Sequence, residues 1–507
     1  MASHEVLRTV CSRIATRCVV FVALAAIAGG CAQRTAIPTV TPEVTSPTQS
    51  SSVPAADPAA LIRQGCYACL ERALAAARDQ GLPQLAFEAA ALLAVRVKEL
   101  GFASSSWRDQ AHALASDANI AVSVLDAIDA IPADPRSGAR DEMLTQTPRR
   151  LRAAELGPRW LGAVRSAPVS AEFSTYVELA LTCASDAIGT MTDDDVAAIV
   201  PASLRDIPLL QYRLGVCGNG HGPVLRRLRA THADFVDADY ALGRYAAQVR
   251  GYPDLDEALR LLRSAAAAFP GSPAIATTAG DVAQTIEAWT ESLSFYDAAL
   301  ALVAAHPDAL LGRTIALSNL NRHQDAIDAA TRLIDGGSWF LGQGFYWRAW
   351  NRFQLADYSV ARQDADRART LMVNPGVYLL SGMIDWRLRR LASAEREFEE
   401  ALRMDFGQCE AAAFLGGVRN EQGQAPGALA AFKQAVQCND LNITLRREAI
   451  ARVDGAEATA AYKTREIARH QRAIDQAERR RAEALNGVTL LQQYLASIQS
   501  RSEPRRP

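Results

Sequence analysis

The chain has 507 residues, of which 49% are hydrophobic, and 54 Lys and Arg stand against 56 Asp and Glu. That is ample material for a globular core, and a net charge of −2 gives none of the basic excess that nucleic-acid binding requires. After Cys31 no stretch approaches the roughly 20 apolar residues of a membrane-spanning helix.

The chain opens with Arg8, Arg13 and Arg17, followed by the apolar run Val19 to Cys31 (VVFVALAAIAGGC), with Ala28, Gly29 and Gly30 just before the cysteine. A basic segment, a short apolar segment and small residues are the layout of a secretory signal. The run itself is too short to span a bilayer. Its last residues resemble the lipobox of bacterial lipoproteins, with Ala28 where leucine is commonest. The resemblance implies removal of residues 1–30 and acylation of Cys31, whose several chains would give stable anchoring where one would not. Ala32 stands where an aspartate would, in that family, argue for retention at the inner membrane, so the expected location is an outer membrane, facing the periplasm. A plain signal peptide cut elsewhere, or an uncleaved anchor, is the alternative. Residues 31–58 are Thr-, Ser- and Pro-rich and read as an extended tether.

From Ala59 onward alanine, leucine and arginine dominate and strand-like alternation is absent, which predicts an all-α fold. Ala59 to Phe102 reads as a helix pair, with Leu61, Cys69, Leu70 and Leu74 on one face of the first helix. Leu85, Phe87, Ala89, Leu92, Leu93 and Val95 carry the second. Ala113–Ala130 and Ala171–Ala187 read as further helices. No clean period runs through Asp134–Gly222, so residues 59–235 hold either degenerate repeats or a separate helical domain.

A period then begins. Ala258, Ser292, Ala326, Ala361, Ala394 and Ala428 recur at steps of 34, 34, 35, 33 and 34. Twelve residues before each of the last five stands Gly280, Thr314, Ala349, Gly382 or Gly416; before the first it is Gly243, with a three-residue insertion around Gly251-Tyr252-Pro253. Four residues after each comes Leu262, Tyr296, Ala330, Ala365, Phe398 or Phe432, and seven after comes Ala265, Ala299, Leu333, Ala368, Ala401 or Ala435. Two antiparallel helices need small side chains where their axes cross closely and bulky ones a turn away. Pro270, Pro307, Pro375 and Pro426 fall where helices end or begin, where a missing N–H costs little. This pattern resembles the tetratricopeptide repeat, a helix hairpin repeating every 34 residues. The resemblance spans residues 236–440 as six units and implies an α-solenoid. Cys409–Asn439 is the best-matched unit. Arg348 and Arg352, where apolar residues are usual, put the helix register of their unit in question.

Residues 441–507 follow as charged and amphipathic helices. Thr464–Glu483 is strongly charged, and its Arg479–Arg481 cluster reads as a solvated face, with a membrane-surface or coiled-coil role as the alternative. Leu491, Tyr494, Leu495 and Ile498 then share a face suited to capping the last apolar surface of a solenoid. Six further cysteines lie in the exported part, an even number for an oxidising compartment. Cys409 begins one helix of its hairpin and Cys438 ends the other, so a staple is expected there. Cys183 and Cys217 each end a candidate helix and can pair likewise. Cys66-Tyr67-Ala68-Cys69 reads as mid-helix, either a local disulfide or packed small residues, without the context of a redox motif.

Catalytic signatures are missing. There is no HExxH and no Gly-x-Ser-x-Gly elbow, and no set of four zinc ligands. His221 in Gly218–Gly222 reads as a loop, and Asp193-Asp194-Asp195 as a helix start. No cofactor or metal is implied. One segment departs from the alanine-rich background: Ser338–Phe353, SWFLGQGFYWRAWNRF. Tyr346, Trp350 and Phe353 form a helical stripe, matched in the next unit by Leu379, Met383 and Trp386 and in the previous one by Leu311 and Ile315. Stacking would join them into a ridge flanked by Arg352 and Arg387, which could fix a carboxylate. In the resembled family such first helices line a groove that holds extended peptides or partner helices. Two readings stand: an open groove with aromatic anchors, or core packing, including packing against the Leu491–Ile498 helix. The function expected is a non-catalytic envelope scaffold that captures a segment of another protein. The alternative is a small-ligand receptor, after a superficial likeness to the lipidated glycan-binding proteins of sugar-uptake systems.

Overall fold

The computed structural model describes residues 56–137, 160–185, 199–217, 221–248 and 253–502. The leader, Cys31, nearly all of the tether, Asp193–Asp195 and Gly218–Gly220 lie outside the described residues. Every regular element among those described is helical.

The N-terminal region comprises α1 (Pro58–Gln64), α2 (Tyr67–Asp79), α3 (Pro83–Glu99), α4 (Trp107–Ala115), α5 (Val122–Ala130), α6 (Ala171–Ser185), α7 (Pro208–Cys217) and α8 (His221–Thr231). Two sequence expectations need correction here. The first helix of the expected pair is broken at Gly65, which takes φ 69° as the left-handed cap of α1, and Cys66 then caps α2 through its sulfur rather than lying mid-helix. Ala113–Ala130 is likewise two helices, separated at Asn119 with φ 55°. Leu70, Phe87, Leu92, Val124, Phe173, Tyr176, Leu209 and Leu225 share one core, which reaches Ala238 and Leu242 of the next helix.

Six hairpins follow: α9 (Asp237–Gln248) with α10 (Leu255–Ala268), α11 (Pro273–Thr285) with α12 (Trp289–Leu302), α13 (Pro307–Asn319) with α14 (His323–Asp335), α15 (Leu341–Gln354) with α16 (Tyr358–Leu371), α17 (Pro375–Arg387) with α18 (Leu391–Met404), and α19 (Cys409–Glu421) with α20 (Ala425–Asp454). Each helix packs on the one before and the one after it, and first helices also touch the first helices of neighbouring hairpins. Pro273, Pro307 and Pro375 each occupy the first helical position of their helices, where φ is already suitable and no N–H is needed.

The small and bulky positions of the period meet. A Cβ added at Gly280 would lie 2.7 Å from the Tyr296 ring, one at Gly382 2.6 Å from Phe398, and one at Gly416 2.9 Å from Phe432. Tyr296 also fills the space beside Gly312 of the next hairpin. Each ring therefore locks its own hairpin, and Tyr296 locks the next one as well; burying such a side chain is worth about 1.5–3 kcal/mol. The turn between the two helices of a hairpin repeats too: Glu287, Asn321, Ala356, Arg389 and Gly423 all adopt φ between 59° and 78°.

Arg348 and Arg352 do not shift the register of α15. Arg348 forks onto Asp364 at 2.8 and 2.9 Å, and Arg352 reaches the same carboxylate at 2.5 Å. Asp364 is buried on α16, so both cations are neutralised within their own hairpin, and Arg348 also donates to Thr331 of the preceding one at 3.2 Å. The last helix of the array does not stop at the expected boundary near residue 440: α20 runs on to Asp454 and turns into α21 (Ala460–Ser502). The charged and amphipathic stretches are thus one continuous helix. Its Ala484, Val488 and Leu491, with Tyr494 and Leu495, pack on Ala412, Ala428, Phe432 and Ala435. Gly487 meets Phe432 (Cβ distance 3.1 Å), in the way Gly312 meets Tyr296, so α21 takes the place of a seventh first helix and caps the stack.

Candidate partner-binding ridge

The stripe residues come from α13, α15 and α17. Tyr346, Trp350 and Met383 pack together around the buried Phe353, Leu380 and Ile384. Met383 also belongs with Leu379, Trp386 and Phe414. Trp386 meets Phe414 edge-on at 5.8 Å and lies over Gly417, where an added Cβ would be 2.8 Å from the indole. The ridge therefore runs from Tyr346 on α15 through Met383 to Trp386 on α17 and Phe414 on α19. Phe414 was missed in the sequence, although it lies in the unit that best fits the period.

Three stripe residues stand apart. Phe353 is only 5% exposed and packs with Ala349, Ala361 and Ala365 as core. Leu311 packs beside Tyr296, Leu333 and Phe340, outside the ridge. Ile315 is half-buried on α13 and belongs to neither ridge cluster. The other ridge residues, Tyr346, Trp350, Leu379, Met383 and Trp386, are half-buried, and α21 contributes nothing to either of their clusters. Packing against the Leu491–Ile498 stretch is thus not what covers the stripe. Arg352, expected to flank the ridge and receive a carboxylate, is engaged by Asp364. Arg387 is half-buried at the end of α17.

The chain itself occupies the corresponding surface nearer the N-terminus. The 3-10 turn Pro135–Ser137 lies on α11, and the Arg136 guanidinium donates to Asp281 at 2.7 Å and Thr278 at 3.2 Å. The Arg136 carbonyl is 2.8 Å from His306 Nε2, and Asp134 accepts from Tyr240 at 2.9 Å and pairs with Arg244. Burial and the neighbouring Asp281 push the Tyr296 phenol far above its usual range, so it stays a proton donor to that carboxylate. This intramolecular contact thus engages the first helices of hairpins one and two and the residue that caps the first helix of hairpin three. At the ridge, burial raises the Tyr346 phenol, with Glu410 on α19 adding to the shift.

The cysteines form three bridges. Cys66–Cys69, Cys183–Cys217 and Cys409–Cys438 are joined with Cα–Cα distances of 4.9, 5.6 and 5.4 Å. The last ties the start of α19 to α20, the second ties α6 to α7, and the first spans the start of α2. Among the described residues no three His, Cys, Asp or Glu side chains gather as a metal site, and no helix is long and apolar enough to cross a membrane.

No family model matches the chain, and no curated protein sequence matches it. Among solved structures the chain is similar to YrrB, a TPR protein with an unusual peptide-binding site, at 19% identity over 35% of this chain and 91% of that one, with a TM-score of 0.31. It is similar to pilF of Pseudomonas aeruginosa at 18% identity over 39% and 89%, with a TM-score of 0.35. A tetratricopeptide repeat protein of Parabacteroides merdae aligns at 16% identity over 53% and 98%, with a TM-score of 0.34. The fold, an α-solenoid of stacked hairpins of the tetratricopeptide kind, rests on the packing of this chain's own helices.

Proposed function

We propose that this protein is a non-catalytic, lipid-anchored scaffold of the cell envelope that holds a peptide segment or helix of another protein on the ridge of its fourth to sixth hairpins. The observation that carries this reading is the continuity of Tyr346, Trp350, Met383, Trp386 and Phe414 across three first helices, half-buried rather than sealed beneath another element. Aromatic and methionine side chains offer large, adaptable contact area at low entropic cost, which suits them as anchors. Anchoring follows from the leader and Cys31, and replacing Cys31 with serine should move the protein from the membrane to the soluble fraction.

The test is a binding screen with the purified chain, reading tryptophan fluorescence against helical and extended peptides and against oligosaccharides. Saturable binding of peptides that is lost in Trp350→Ala and Trp386→Ala, with melting nearly unchanged, is the expected result. Binding of oligosaccharides alone would replace this reading with that of a glycan receptor, and large losses of stability in both variants would make the ridge core.

A further inference from the structure

The charged stretch of α21 does more than keep a cap in solution. Arg465, Arg472 and Arg480 are spaced by seven and eight residues, which places them along one face of the helix. Each meets an acid from a different hairpin. Arg465 pairs with Asp256 at the start of α10 in the first hairpin, at 2.7 Å. Arg472 pairs with Glu287, in the turn of the second, at 2.9 Å. Arg480 pairs with Glu410 at the start of α19 in the sixth. Helix α21 also touches α10 directly. At 1.5 Å per residue, Arg465 and Arg480 are about 22 Å apart along the helix, so one short stretch of α21 joins the first hairpins of the array to the last.

The two ends of this connection are unequal. Towards the sixth hairpin α21 is seated by the apolar contacts of Ala484, Val488 and Leu491, and the arm it makes with α20 is held by Ile443, Ile474 and Ala477. Towards the first two hairpins the side-chain contacts are ion pairs, one open to solvent on both sides and one with its arginine largely covered. Side-chain exposure is 18% and 50% for Arg465 and Asp256, and 58% and 48% for Arg472 and Glu287. The Nε and one terminal nitrogen of Arg465 are buried without a partner, so that contact is incompletely satisfied. Exposed pairs of this kind are weak and are screened by salt within a Debye length of about 10 Å at 0.1 M.

We propose that α21 is a releasable latch: it closes the array by docking its arginine face on Asp256 and Glu287, and it opens there without disturbing the cap on the sixth hairpin. The closure stands independently of the binding reading above.

Small-angle scattering of the full chain between 0.05 and 1 M salt tests the closure with no partner present. Two pairs of about 0.2–1 kcal/mol each bias the closed state by roughly 2- to 30-fold, so the radius of gyration should rise with salt. The double variant Arg465→Glu/Arg472→Glu should be expanded already at low salt and should lose the salt response, with its circular dichroism unchanged. Adding Asp256→Arg and Glu287→Arg should restore both compactness and salt dependence. A double variant with wild-type dimensions and salt response, one that loses helicity, or a charge-swapped protein that stays expanded would each overturn the latch. Peptide binding measured on the same proteins is a separate readout, so failure of the ridge would be seen independently of failure of the latch.

Discussion

The N-terminal helices and the repeat array bury similar residues but are held together in different ways. In the array the same joint recurs: in four of the six hairpins a glycine on the first helix receives Leu262, Tyr296, Phe398 or Phe432 from the second. In the N-terminal region the joint is made once, from charges. Arg96 is fully buried on α3, donates to Asp237 at the start of α9 and to the Gly65 carbonyl at 3.2 Å, and lies 3.3 Å from Glu99. Its guanidinium sits 3.8 Å from the centre of the Tyr212 ring. Glu99 in turn takes Arg213 and the Tyr176 hydroxyl, and Asp237 accepts from the backbone of Tyr67 at 2.9 Å. One ion network therefore fastens α2, α3, α6 and α7 to the first hairpin. A steric joint tolerates loss one unit at a time; a buried charge network does not, because removing one partner strands another.

The largest effect is expected there. Asp237→Ala leaves Arg96 buried without its main countercharge and should cost about 3–5 kcal/mol in denaturant unfolding. A cost below about 1 kcal/mol would mean the network is better solvated than its burial implies. In the array, Gly280→Ala drives a methyl group into the Tyr296 ring and should cost about 1–3 kcal/mol. Gly162→Ala, with nothing within 4 Å of the added carbon, should be neutral or stabilising. Equal effects of the two glycine substitutions would remove the steric joint from the account.

The hairpin turns give a smaller effect of opposite sign. Ala356 holds φ 62° where Asn321 and Gly423 occupy the equivalent turns. Ala356→Gly should raise stability by about 1 kcal/mol, by relieving a left-handed conformation that a Cβ disfavours. The smallest effect concerns the arm. His470 is buried on α21 against Arg446 of α20, whose Nη1 lies 3.2 Å from its Nδ1, with Arg452, Arg469 and Glu466 nearby. Burial and then these cations lower its pKa below the usual 6.5, with Glu466 acting the other way. The unfolded chain therefore binds the proton more readily, so the stability His470 allows is complete above pH 6.5 and is lost as the pH falls below it. Hydrogen-exchange protection factors in residues 441–475, taken relative to the intrinsic rate at each pH, should fall between pH 7 and pH 5.5, and His470→Gln should flatten that dependence.

What the sequence shows of the molecule follows the same division. The period from Ala258 to Ala428 is legible because each joint needs one small and one larger residue at fixed spacing. The left-handed turn position was legible in principle as well, since Glu287, Asn321, Ala356, Arg389 and Gly423 recur at the same steps, but only two of them are residue types that announce such a turn. The network could not be read: Arg96 and Glu99 stand one turn apart, but their partners Arg213 and Asp237 lie 114 and 141 residues on, and a buried arginine looks like any surface arginine until the fold closes around it. The break at Gly65 and the continuity of α20 were missed for a local reason. Helical periodicity carries through a single left-handed cap, and it does not mark where a hairpin helix should end. Of the ridge, Tyr346, Trp350, Met383 and Trp386 come together as their spacing suggested, whereas Phe353 turned inward and Arg352 found its carboxylate within the hairpin.

The central claim is that the ridge of hairpins four to six is a surface for another chain. A photoreactive phenylalanine analogue placed at Trp350, at Trp386, and for comparison at the exposed Arg396 of α18, tests it directly in cells producing the full chain. Discrete crosslinked protein adducts from the two ridge positions and none from Arg396 are expected. Adducts from all three positions alike, or from none with the protein folded and exported, would contradict it.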